Sequence, residues 1–79
     1  MVQESISISN ILIFQTRIET EPEFVRLSEV LNSDPAILRW NLDQEDVDKV
    51  LRVVSDELHT EDIIHLLQGS GLYCQELPD

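Results

Sequence analysis

Six short segments of contrasting periodicity set the order of elements in this chain, and that order constrains the fold more than any other property. The run Ile11-Leu12-Ile13-Phe14, continued by Gln15-Thr16-Arg17-Ile18, is rich in β-formers and reads as a first strand over residues 11–18. It leads into Thr20-Glu21-Pro22-Glu23, a strong helix start. Threonine can cap, the glutamate three positions on can reach back to the cap amide, and proline sits in the first turn, where no helical hydrogen bond is forfeited. Phe24, Leu27, Val30 and Leu31 then recur at helical spacing, and Asn32-Ser33-Asp34-Pro35 stops the helix.

The second half repeats this alternation with a hairpin in front of it. Over residues 36–43, Leu38, Trp40 and Leu42 alternate with Ile37, Arg39 and Asn41, which predicts a second strand. A polar turn over residues 44–48 joins it to a third strand at residues 49–54. Thr60 is expected to cap a second helix, with Glu61 and Asp62 at its positive end and an apolar face of Ile63, Ile64, Leu66 and Leu67. Gln68-Gly69-Ser70-Gly71 ends that helix, and residues 72–77 make a final short strand. Strand, helix, strand, strand, helix, strand is a split βαβ. It predicts a ferredoxin-like α/β sandwich of the α+β class, with a four-stranded antiparallel sheet and both helices on one face. Residues 11–79 are expected to form this single domain, and residues 1–10, where Ile6 and Ile8 alternate among serines, a loosely held tail or an extension of the first strand.

Four stretches carry a family resemblance. Ile37-Leu38-Arg39-Trp40-Asn41-Leu42-Asp43 fits an apolar-x-x-apolar-x-apolar-Asp strand, and Lys49-Val50-Leu51-Arg52-Val53 a Val-x-Val strand. Ile63-Ile64-His65-Leu66-Leu67 and Gly71-Leu72-Tyr73-Cys74-Gln75-Glu76-Leu77 supply the second helix and a Gly-aromatic turn into the last strand. Over roughly residues 11–77 the chain resembles the heavy-metal-associated (HMA) domains of copper chaperones and P-type ATPase tails. The resemblance implies the ferredoxin-like fold, and it places the family's metal segment, a methionine followed by Cys-x-x-Cys, on residues 17–22. Here that segment reads Arg17-Ile18-Glu19-Thr20-Glu21-Pro22, without a thiol. A two-sulfur site for Cu(I) or Zn(II) needs two thiolates in one short loop, and the chain has one cysteine. The resemblance is therefore to a degenerate form lacking the metal site.

Charge narrows the partners. Sixteen acidic against five basic side chains give −11, a field that repels phosphate backbones and anionic lipid, so neither nucleic acid nor membrane is an expected partner. The N-terminus shows no basic region followed by an apolar core, and no apolar run approaches the roughly 18 residues of a membrane span. With its single cysteine the chain suits a reducing compartment, and a cytoplasmic location is expected.

Residues capable of chemistry are few. His59, His65 and Cys74 are the candidate nitrogen and sulfur ligands, but the two histidines share no helical face, and Cys74 on an alternating strand reads first as a small buried residue. Glu19, Glu21 and Glu23 gather at a helix start, which attracts acids in any protein, and Glu23 has a capping role besides. Asp43, Glu45, Asp46 and Asp48 lack the glycine and closing glutamate of a calcium loop. With no nucleophile, phosphate-loop or paired-histidine pattern, neither enzymatic activity nor a cofactor is expected.

What remains is surface. If Trp40, Leu42, Leu51 and Val53 point at the helices, with Trp40 against Phe24, Leu27 and Leu67, then Arg39, Asn41, Val50 and Arg52 line the open face of the sheet. Arg17, Arg39 and Arg52 would polarise that face within an acidic molecule, and together with Glu19, Glu21 and Glu23 they are the partner-binding candidates. The expected occupant is a protein, basic if long-range charge selects it, or a second copy through the open sheet face. Three functions fit: a non-catalytic protein-interaction module, a metal-binding or transfer protein using a non-standard site, and a structural domain of a larger assembly.

Overall fold

β1 (Asn10–Thr16) is the strand around which the rest is arranged. The computed structural model describes residues 10–77. The tail expected over residues 1–9 lies outside the described residues, and Asn10 belongs to β1. The remaining elements follow as α1 (Glu21–Asn32), β2 (Ile37–Asp43), β3 (Val50–Ser55), α2 (Thr60–Gln68) and β4 (Cys74–Glu76). The sheet has the order β2-β3-β1-β4, and every neighbouring pair is antiparallel. Phe14 lies opposite Leu51 of β3 and Glu76 of β4, so it sits in the middle of the sheet and is fully buried.

Alternation along the strands sends one set of side chains to the helices. Phe14, Leu51 and Val53 meet Leu27 and Leu31 of α1 and Ile63 and Leu67 of α2 in one core cluster, which places both helices on the same face. Two buried hydroxyls close the ends of strands. Thr16 Oγ1 donates to the Lys49 carbonyl at 2.7 Å and ends β1, two residues short of the strand expected from Ile18. Ser55 Oγ donates to the Ala36 carbonyl at 2.7 Å and accepts from the Glu57 and Leu58 amides, turning the chain toward α2. Both satisfy polar groups that burial would otherwise penalise.

α1 starts as its sequence predicts: Thr20 is extended, its hydroxyl accepts from the Glu23 amide, and Glu23 reaches back to the Thr20 amide at 3.0 Å. α2 does not. Its cap is His59, whose amide donates to Asp62 Oδ2 at 2.8 Å, and Thr60 is the first helical residue. At the far end of α2, Gly71 has φ +80, the left-handed conformation that glycine adopts without steric cost, and β4 begins only at Cys74 rather than at Leu72. Lys49 also has positive φ, 48°, in the turn closed by its amide on the Asp46 carbonyl, so β3 starts at Val50.

Two expectations about β2 are corrected. The pairing with β3 shifts between Ile37 and Arg39, a bulge that turns Leu38 outward to 56% exposure while Ile37 packs against the core. Trp40 faces the helices and packs against the core cluster, but on an edge strand it is only half-buried, with its ring tilted against Phe24 at 6.0 Å at the margin of that cluster.

Candidate functional site

The strand residues that alternate with the core set form the open face. Two rows cross it: Asn41 of β2, Arg52 of β3 and Ile13 of β1 stand opposite one another, and beside them Arg39, Val54 and Ile11 do the same. Arg39 and Arg52 are therefore diagonal neighbours on adjacent strands, with backbones about 7–8 Å apart. Ile11, 62% exposed, and the half-buried Val54 make an apolar floor beside them. Ile11, Arg39, Trp40, Asn41, Arg52 and Val54 enclose a shallow depression of about 360 Å³, and Leu38 borders its outer side. Asp43 is the one acid among the open-face strand positions of the described residues. Among the described residues no side-chain hydrogen bond uses Arg39 or Arg52, whereas nearby Gln15 donates to Asp48 and Trp40 to Asn32.

Arg17 does not join this pair. It follows β1 at the other end, beside β4, about 13 Å along the strand from the row of Arg52. There its guanidinium lies over the Tyr73 ring, 4.2 Å from the centroid, and the Tyr73 hydroxyl donates to Gln75 Oε1. Ile11, Val54 and Leu38 are the members of the depression that reasoning from sequence did not single out. The strict alternation of Ile11 and Ile13 against Leu12 and Phe14 carries the signal for Ile11, but the bulge that exposes Leu38 has no local signature.

The sequence finds no match among protein-family models or among curated proteins. A solved structure does match. The apo form of the HMA domain of the copper chaperone for superoxide dismutase resembles this chain with a TM-score of 0.75 at 16% identity, over 99% of this chain and 79% of that one. The fold is that of an HMA domain.

In this HMA-type fold the connection from β1 to α1 is residues 17–20, and its carboxylates are arranged by the helix start. Glu23 Oε1 accepts from the Glu19 amide, the Thr20 amide and the Thr20 hydroxyl at 3.0–3.1 Å. The backbone bonds from Glu19 and Thr20, with the Thr20 hydroxyl after them, hold the Glu23 carboxyl below its ordinary value. Glu19 and Glu21 are exposed, and Pro22 offers no donor atom beyond its carbonyl. The side-chain donors of this segment are oxygens alone, a set suited to hard cations rather than to Cu(I).

The remaining candidate ligands are dispersed. His59 caps α2, His65 is exposed near the end of that helix, and Cys74 is buried against Thr16 in the sheet, where desolvation pushes its thiol up to about 12. Among the described residues no three of His, Cys, Asp and Glu come together in an arrangement that could hold a metal ion. Among the same residues no helix is long and apolar enough to cross a membrane.

Proposed function

We propose that this chain is a non-catalytic protein-interaction module of HMA-type fold that works without the family's thiolate metal site and docks its partner on the open face of the sheet. The observation that carries this reading is the composition of that face: exposed Ile11 and Leu38 beside Arg39 and Arg52, with Asp43 as the single acid among its described strand positions, on a molecule of charge −11. Arginine is enriched and Asp, Glu and Lys are depleted in protein interfaces, whose fully buried centres are more apolar than the rest of the surface. An all-oxygen donor set at residues 17–22 and a capping role for Glu23 both speak against soft-metal transfer. The solved neighbour is described as a chaperone for another protein, which favours docking as a use of this fold.

Long-range charge favours approach by a basic protein, and a second copy is the other occupant the face admits. The test is to recover the complex from native cytosol by cross-linking and to weigh the free protein in solution. Val54→Asp combined with Arg52→Glu should abolish the complex while the melt stays cooperative. Loss instead through Glu19→Gln and Glu21→Gln, with the open-face variant unaffected, would move the interface to the β1–α1 connection and end this reading.

A further inference from the structure

We propose that the open face receives an amphipathic helix whose apolar stripe is flanked by carboxylates. This rests on the docking role above and adds the chemistry of the partner. A sheet face without helices is the surface that a helix covers in a two-layer architecture. The depression is shallow and Ile11 and Val54 line it beside the arginines, so a large apolar side chain of a partner can seat there. Arg39 and Arg52 stand on opposite sides of the strand pairing, diagonal to each other. Carboxylates one turn apart on a helix lie about 5–6 Å from each other and meet such a diagonal pair of guanidiniums with only side-chain adjustment. Arginine takes carboxylates in a bidentate fashion, and Asn41, in the same row as Arg52, offers an amide donor beside them.

The sign of this partner surface is opposite to the one the net charge of −11 favours at long range. At physiological ionic strength the Debye length is about 8 Å, and α1 and α2 lie on the side of the sheet away from this face. Glu21, Glu29, Glu61 and Asp62 sit on those helices, so their field is largely screened at the open face. At contact the two arginines outnumber Asp43, the one acid among the open-face strand positions of the described residues, and set the charge preference. A second copy meeting through the same face would bring Arg39 and Arg52 against their own counterparts, and that like-charge contact disfavours it as the occupant.

Two synthetic helices of about 18 residues, long enough to hold helical structure, test this at physiological salt. Both carry a leucine stripe, flanked by glutamates in one and by lysines in the other, and each is titrated into the full chain while backbone amide shifts are followed. The glutamate helix should shift the amides of Ile11, Arg39, Asn41, Arg52 and Val54 and bind about tenfold tighter than the lysine helix, from two reversed surface pairs. Arg39→Glu with Arg52→Glu should invert that preference while the rest of the spectrum keeps its dispersion. A lysine helix binding the open face as well or better overturns the acidic partner and leaves the docking role standing. Shifts confined to residues 17–21 or to α1 and α2, or no binding by either helix, overturn the docking face with it. A mass that doubles with concentration, with these same amides shifting, assigns the face to a second copy and overturns the proposal.

Discussion

The indole N–H of Trp40 donates to the Asn32 side-chain oxygen at 2.9 Å, tying edge strand β2 to the last turn of α1. Its ring meets Phe24 at 6.0 Å with a 53° tilt, so this tryptophan seals the margin of the core. Trp40→Ala should cost about 2 kcal/mol, below the 3–5 typical of fully buried aromatics, and Phe14→Ala should fall within that higher range. Urea melts of the two variants check the ranking. Equal costs would place Trp40 in the core after all.

The cap of α1 is a second point of measurable stability. Thr20→Ala removes the acceptor for the Glu23 amide and should cost about 1 kcal/mol. Glu23 has a lowered folded-state pKa, so its contribution is present above the ordinary carboxyl value of 4.5 and is lost as pH falls through the folded one. Glu23→Gln should therefore be less stable than the wild type at neutral pH and converge on it as pH falls through the lowered pKa of Glu23, where both side chains become neutral. A gap that persists undiminished in acid would refute the charged cap.

Cys74 is 4% exposed, and burial raises its thiol from the ordinary 9.0 to about 12. At pH 8 a disulfide reagent should react with it only as fast as the fold opens, and promptly once denaturant is added. A raised pKa also has a stability signature: the contribution is intact below about 9 and is lost as pH climbs toward 12. Cys74→Ala should flatten the alkaline limb of the stability profile, and an unchanged limb would contradict the burial of the thiol.

Metal affinity should follow the donor set at the β1–α1 connection. The wild type is expected to hold Cu(I) and Zn(II) at least about a hundredfold more weakly than a cysteine-pair site, since even losses outside the ligand shell cost tens of fold. Glu19→Cys with Pro22→Cys places two thiols in this segment and should restore tight Cu(I) binding in competition with a chelator. A stoichiometric metal retained by the wild type would overturn this, and Cys74→Ser would then show whether the thiol holds it.

Much of this architecture was legible because it is locally encoded. The alternation over residues 10–16 and 50–55 and the Thr20–Glu23 box each involve residues within a few positions of one another. The α2 cap lies one residue before Thr60 because His59 caps through its backbone amide on Asp62, a role any residue but proline can fill, so the side chain at the cap carries no signal. Alternation groups Leu38 with Trp40 and Leu42, and it has no means of marking the irregularity that exposes Leu38, which depends on how β2 pairs with β3. Trp40 shows the same limit: its side of the sheet follows from alternation, but its depth follows from β2 lying at an edge.

From the sequence alone came the element order, the surplus of acid and the absence of a thiol pair at residues 17–22, because these are properties of single segments or sums over the chain. Which arginines act together was decided only by the tertiary structure. Arg17, Arg39 and Arg52 all belong to one face by alternation, yet the long-range pairing of β1, β2 and β3 sets Arg39 diagonal to Arg52 over Ile11 and Val54 and leaves Arg17 on Tyr73 at the opposite end. Alternation within a strand assigns each residue a face, but which residues stand opposite one another is decided by the pairing of strands, and β1 and β3 are distant in the chain.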